Sequence, residues 1–194
     1  MNVLINGSIL FLKRYIAMRK DDEEVYRYGL EILYATVLGI ISVIIIGNML
    51  ERKIASFIFL LCYCPLRLFA GGYHAKTRAR CMLSFLFMFS IILGVNRIFN
   101  IFVMEYIHLA IALLFYNVVI FVFAPVESTK NLLSEDRKKR MKLKSIVISI
   151  IISTMIWLLN YSESEFFGIA FLTYTFSIFI ILLGALNNKM QTKS

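Results

Sequence analysis

A histidine and a cysteine on either side of a short basic segment are the residues whose types suit covalent chemistry. His74 and Cys81 enclose the segment Ala75-Lys76-Thr77-Arg78-Ala79-Arg80. An imidazole can take the proton of a thiol, the thiolate can attack a carbonyl carbon, and the imidazolium can then protonate a leaving amine. His74 is therefore a candidate general base, and Cys81 is a candidate nucleophile.

The spacing of the two residues requires a break in the backbone. On one straight helix, His74 and Cys81 would lie about 10 Å apart along the axis, beyond the reach of a hydrogen bond. Gly71 and Gly72 come just before His74 and permit a turn. We expect a loop or re-entrant hairpin from about residue 70 to 79, with Cys81 at the start of the next helix.

Positive charge gathers close to Cys81. Lys76, Arg78 and Arg80 precede it, and a helix N-terminus adds partial positive charge. Such surroundings favour a thiolate over a thiol. The alternative interpretation is a basic anchor between two membrane helices, in which a lone His and Cys do no chemistry.

A wider pattern surrounds the pair. Arg67, Gly72, His74 and Cys81 fit the frame R-x-x-x-x-G-x-H-x(6)-C after an apolar segment. This frame resembles the signature of the accessory gene regulator B (AgrB) family, bacterial membrane cysteine endopeptidases that mature quorum-sensing propeptides. The resemblance implies that His74 is the catalytic histidine and Cys81 the nucleophile, with Arg67 and Gly72 at supporting positions.

The resemblance also implies a substrate, a product and an assembly. The substrate would be a small amphipathic propeptide, similar to AgrD. Its C-terminal part would be removed through an acyl-enzyme on Cys81, and the acyl group would pass on to form a cyclic thiolactone or lactone autoinducing peptide. A homodimer in the bacterial cell membrane is the expected assembly. The segment Ala124-Pro125-Val126-Glu127, with Asn131 after it, adds to the likeness.

Two parts of such a site are not assigned by the sequence. Backbone N–H groups at the helix start near Cys81 are candidate oxyanion donors. The residue that would orient His74 remains open between Asn96, Ser84 and Glu127.

The elements that would position these residues are membrane helices. Hydrophobic residues make up 60% of the 194 residues, and the mean hydropathy is +0.78. The net charge of +9 lies at the ends of apolar runs, which favours contact with anionic membrane lipids over nucleic acid. No metal-ligand constellation or phosphate-binding loop stands out, so we expect no metal and no cofactor.

Six apolar runs are long enough to cross a bilayer, and they predict an all-α polytopic helix bundle. The runs are 29–50, 54–70, 81–99, 105–124, 145–161 and 166–186. We expect a single integral-membrane domain over 1–194, with an amphipathic interfacial helix within 1–28 and a polar tail at 187–194.

Two charged stretches lie outside the six apolar runs, and each predicts a local structure or contact. The acidic run 21–24 predicts a solvated turn or, equally, pairing with Arg19, Lys20 and Arg27. The stretch 126–144 is the longest polar connection, and its basic run predicts an inside anchor or a surface that attracts an acidic peptide tail.

The distribution of Lys and Arg residues predicts how the chain is oriented across the membrane. With both termini in the cytoplasm, every Lys and Arg except Arg52, Lys53 and Arg97 lies on the inner side, as the positive-inside rule favours. The site would then face the cytoplasm, whose reducing conditions keep a thiol free.

The main alternative function is a small polytopic transporter or channel, for example for peptide export. Such a protein would be expected to carry paired polar or charged residues in mid-span, and these runs contain few. A structural or lipid-binding membrane protein is a third class, and it would tolerate the loss of Cys81.

Overall fold

Seven α-helices make up most of the part of the chain that the structure describes. This computed structural model describes residues 2–15, 20–72, 78–99, 104–126, 135–162 and 164–191. The helices are α1 (Asn2–Tyr15), α2 (Lys20–Met49), α3 (Lys53–Ala70), α4 (Arg78–Phe99), α5 (Tyr106–Phe123), α6 (Glu135–Tyr161) and α7 (Phe167–Gln191). Helices α2 to α7 each contain a segment long and apolar enough to cross a membrane, so the predicted six-span bundle is confirmed.

Helices α2 and α6 extend furthest beyond their apolar runs, and α7 also continues to Gln191, into the predicted polar tail. α2 begins at Lys20, so the acidic run 21–24 lies in its first turns, and the expectation of a solvated turn there is wrong. The alternative expectation is that the acidic run pairs with nearby basic residues, and Glu23 does so. Its carboxylate lies 3.9 Å from the Arg27 guanidinium, one helical turn further on. α6 begins at Glu135 and therefore includes the basic run that was expected within a connection.

The predicted short N-terminal helix is present and packs along α2. Ile5 and Ile9 are buried, whereas Leu10 and Phe11 on the other side of α1 are exposed. Ser8 Oγ and the Tyr34 hydroxyl lie 2.7 Å apart, and a hydrogen bond from Arg27 to Asn6 adds a second link between α1 and α2.

Helices α3 and α7 hold the bundle together, because both contribute to each of two apolar clusters. One cluster joins α3, α5, α6 and α7 around Leu66, Ile120, Ile156 and Tyr174. The other joins α2, α3, α4 and α7 around Val43, Phe59, Phe89 and Ile169. Phe59 is fully buried, with its ring centroid 4.9 Å from that of Phe89 on α4.

A neutral polar cluster links α5, α6 and α7. Ser149 donates to Asn117 Oδ1 at 2.6 Å and accepts from the Tyr174 hydroxyl at 2.6 Å. Asn117 Nδ2 donates to Ser153 Oγ at 2.8 Å. Lipid offers no hydrogen-bonding partners, so such interhelical bonds fix neighbouring spans against one another.

Contacts between helix ends define what we call the motif end of the bundle, where α3 and α5 finish and α4 and α6 begin. Val126, just after α5, donates its N–H to the carbonyl of Ala70, the last residue of α3. Lys144, in the third turn of α6, places its ammonium 5.2 Å from the Phe69 ring centroid. At the other end, Asn160 of α6 exchanges two hydrogen bonds with the backbone of Met104 before α5.

Candidate functional site

The motif end of α3 finishes in a turn of two glycines. α3 ends at Ala70, and the φ angles of Gly71 and Gly72 are 73° and 127°, which side-chain-bearing residues rarely adopt. α4 begins at Arg78. The helix therefore ends before His74, and Cys81 belongs to the next helix. His74 lies outside the described residues, so the expected turn between His74 and Cys81 stays a prediction.

Contacts from two sides hold this turn. The Val126 N–H donates to the Ala70 carbonyl at 2.9 Å, so that Gly71 and Val126 form a parallel β-bridge. Arg67 Nη1 donates to the Gly71 carbonyl at 2.9 Å. A Cβ on Gly71 would collide with the Val126 carbonyl, and one on Gly72 would collide with the Arg67 guanidinium. Only glycine fits at either position without a shift of its neighbours.

Cys81 lies where the sequence predicts it, in the first turn of α4, and its side chain is exposed. All three cysteines of the chain lie within the described residues, and none forms a disulfide. Cys62 is buried in the core, and Cys64 is half-buried on α3. Cys81 is therefore the most accessible of the three thiols.

Tyr63 connects the faces of α3 and α4 that carry Arg67 and Cys81. Its ring centroid lies 5.1 Å from that of Phe85 and 5.6 Å from that of Phe59. Tyr63 precedes Arg67 by one helical turn, and Phe85 follows Cys81 by one turn, so Cys81 and Arg67 lie on the sides of the two helices that meet.

A small crevice opens beneath the glycine turn, between α3 and α7. Its walls combine aliphatic carbon with a cation and two hydroxyl-bearing side chains. The lining residues are Tyr63, Leu66, Arg67, Gly71, Ser177, Ile180 and Ile181.

The three candidates for orienting His74 occupy different places. Asn96 follows Cys81 by about 22 Å along α4, towards the other end of the bundle. The Ser84 hydroxyl donates to the backbone carbonyl of Arg80 at 2.7 Å. Glu127 lies outside the described residues, but it directly follows Val126, which pairs with Gly71.

Sequence reasoning missed two parts of this site. A tyrosine within an apolar run is usually taken as packing, so Tyr63 was not singled out, although its one-turn spacing from Arg67 was a usable signal. The backbone of Val126 pairs with Gly71 only through tertiary structure, which the local sequence does not reveal.

Fold and site together define a class of protein. It is a membrane protein with six spans and an exposed cysteine that follows a turn of two glycines. Residues 6–182 match the family model described as Accessory gene regulator B, and the chain belongs to this family. The resemblance drawn from the motif is thereby confirmed.

Relatives in one bacterial species support this membership. The chain is 30% identical to AgrB-like protein 2 of Clostridium perfringens strain 13, over 88% of this chain and 90% of the relative. It is also 30% identical to an AgrB-like protein of Clostridium perfringens strain SM101, with the same coverage of both chains. No solved structure gives a significant match.

Proposed function

We propose that this protein is a membrane cysteine endopeptidase that cleaves a small amphipathic propeptide and closes the retained part into a thiolactone or lactone. Family membership implies a role in quorum-sensing peptide processing. The observation that carries the finer proposal is the exposed Cys81 thiol in the first turn of α4, after an interrupted helix.

The first half of the reaction forms an acyl-enzyme. His74 takes the proton of Cys81, and the thiolate adds to a peptide carbonyl carbon. The carbon–nitrogen bond then breaks, and the C-terminal fragment leaves as an amine after taking the proton from His74. The N-terminal part of the propeptide stays on Cys81 as a thioester.

The second half passes the acyl group on. A cysteine or serine side chain within the bound peptide attacks the thioester, which closes the ring and releases the Cys81 thiol. Water competes with this attack, so a site recessed at the membrane interface favours cyclisation over hydrolysis.

Arg67 and Gly72 support this chemistry by shaping the turn between the helices. Gly72 leaves the space that the Arg67 guanidinium occupies, and Arg67 in turn holds the Gly71 carbonyl. This pairing sets the direction in which the chain departs from α3 towards His74. Arg67 thereby acts as a positioning residue.

The proposed setting is the bacterial cell membrane, with both termini and the site in the cytoplasm, and with a second copy of the chain as partner. The basic start of α6 supports this orientation, because Lys142 and Lys144 lie against Phe121 and Phe69 at the motif end. The export alternative has weaker support. The buried polar cluster of α5 to α7 is uncharged, and its members bond to one another.

Co-expression with a candidate amphipathic peptide encoded beside the gene tests the proposal. Cys81→Ala and His74→Ala should abolish the truncated and cyclic products in mass spectra, whereas the matched Cys64→Ala variant should retain them. Undiminished processing by Cys81→Ala would refute the assignment. Cys81-independent appearance of uncleaved peptide outside the cells would favour export instead.

A further inference from the structure

We propose that the Tyr63 hydroxyl donates a hydrogen bond to the oxygen that becomes negatively charged when Cys81 attacks the peptide carbonyl. Neither the motif nor the family match assigns a role to Tyr63. The assignment rests on the proposed acyl transfer at Cys81 and identifies a side-chain donor for its oxyanion.

The first support is position. Packing against Phe59 and Phe85 fixes the ring of Tyr63 between α3 and α4, one turn of α4 below Cys81. Tyr63 also lines the crevice under the glycine turn, together with Arg67. Because Phe85 follows Cys81 by one turn, the phenol lies on the side of α4 that carries Cys81.

The second support is that the hydroxyl is available as a donor. Buried tyrosines in spans normally find hydrogen-bonding partners. Tyr116 bonds with Thr175 at 2.9 Å, and Tyr174 donates to Ser149. Tyr63 lines the crevice and differs from these two tyrosines. Within the described residues, no group forms a hydrogen bond with its hydroxyl.

The third support is the charge that surrounds the phenol. Arg67 follows Tyr63 by one turn of α3 and lines the same crevice. A guanidinium beside the phenol stabilises an anion that the phenol contacts, and it does so more strongly where water is scarce. The positive charge of Arg67 beside Tyr63 therefore suits the negative charge that develops on the attacked carbonyl oxygen.

The step balances as follows. The sulfur–carbon bond forms, and the carbonyl π pair moves to the oxygen, which accepts the hydrogen bond from Tyr63 without taking its proton. The carbonyl then re-forms as the carbon–nitrogen bond breaks, and the leaving nitrogen takes a proton from the His74 imidazolium. The same donor serves again when the ring-closing side chain attacks the thioester.

Tyr63→Phe isolates the hydroxyl, because the ring and its packing against Phe59 and Phe85 are kept. The matched control is Tyr106→Phe, in which the same oxygen is lost from a ring 5.6 Å from Trp157 at the other end of the bundle. Both are compared as full-length protein in lipid vesicles, with a propeptide that the wild type cleaves in a Cys81-dependent manner.

We expect Tyr63→Phe to slow single-turnover thioester formation by roughly 100-fold or more, as loss of one oxyanion donor does elsewhere. Propeptide affinity and unfolding temperature should stay at their wild-type values, and Tyr106→Phe should match the wild type throughout. Wild-type rates for Tyr63→Phe would overturn the assignment while leaving the Cys81 mechanism intact. A slower rate accompanied by weaker binding or a lower unfolding temperature would also overturn it, in favour of a packing role.

Discussion

Gly72 occupies a backbone conformation and a space that both exclude a side chain. Its φ is 127°, and a Cβ would run into the Arg67 guanidinium on one side and approach Ile180 of α7 on the other. The sequence motif marks Gly72 as a supporting residue, and the structure supplies a physical reason for glycine at this position. A side chain there would displace Arg67 from the carbonyl of Gly71.

Replacing Gly72 with alanine should therefore weaken processing and stability together. We expect Gly72→Ala to cost about 1–3 kcal/mol of unfolding free energy from backbone strain alone. Peptide processing should fall strongly, because the chain would leave α3 towards His74 in a changed direction. Thermal unfolding in detergent and the co-expression assay measure the two effects.

Gly94→Ala is the matched control for this substitution. Gly94 lies inside α4, and a Cβ there would meet nothing within 4 Å. Alanine is also the better helix former, so this variant should be at least as stable as the wild type and fully active. Normal processing by Gly72→Ala would contradict the account of the turn.

At the scale of helices, Gly47 and Ser56 let α2 and α3 approach closely beside their connecting turn. Ser56 is buried, and its hydroxyl donates to the Val43 carbonyl at 3.2 Å. A Cβ on Gly47 would collide with the Ser56 hydroxyl. Small residues at such a contact are what close packing of membrane helices requires.

The contact between α2 and α3 gives a reciprocal prediction. Gly47→Ala should lower the unfolding free energy by about 1–3 kcal/mol through overpacking. Adding Ser56→Gly should recover much of that loss, because the colliding hydroxyl is removed. Thermal unfolding of both single variants and the double variant measures the coupling. Strictly additive losses would show that the two residues do not limit the approach of the helices.

Hydropathy located the six spans because bilayer thickness sets the length of an apolar run. It did not reveal that α2 and α6 continue beyond their apolar segments, since helical turns outside the membrane need no apolar residues. The break after α3 was predictable from Gly71 and Gly72. Its docking onto Val126 was not, because that β-bridge joins residues far apart in the chain.

At the scale of the whole molecule, the ends of α3 and α5 and the starts of α4 and α6 lie together at the motif end. The turn after α2 and the turn after α6 belong to the other end of the six-span bundle. Arg52 and Ser162, in these two turns, are both exposed. Their reactivity as cysteines therefore reports which side of the membrane each end faces.

Labelling of intact cells tests the proposed orientation. Arg52→Cys and Ser162→Cys should react with a membrane-impermeant thiol reagent, because the positive-inside rule places these turns outside. Native Cys81 and the control variant Lys139→Cys should react only after the membrane is permeabilised. Labelling of Cys81 in intact wild-type cells would contradict a cytoplasmic site.

A covalent bond between Cys81 and the propeptide is the central step of the proposed reaction, and mass spectrometry can observe that bond. Excess enzyme is mixed with propeptide, quenched in acid and digested. The predicted result is a Cys81 peptide carrying the N-terminal part of the propeptide, which neutral hydroxylamine removes and which Cys81→Ala never forms. Processing that continues in Cys81→Ala, or an adduct found on Cys62 or Cys64 instead, would contradict the account.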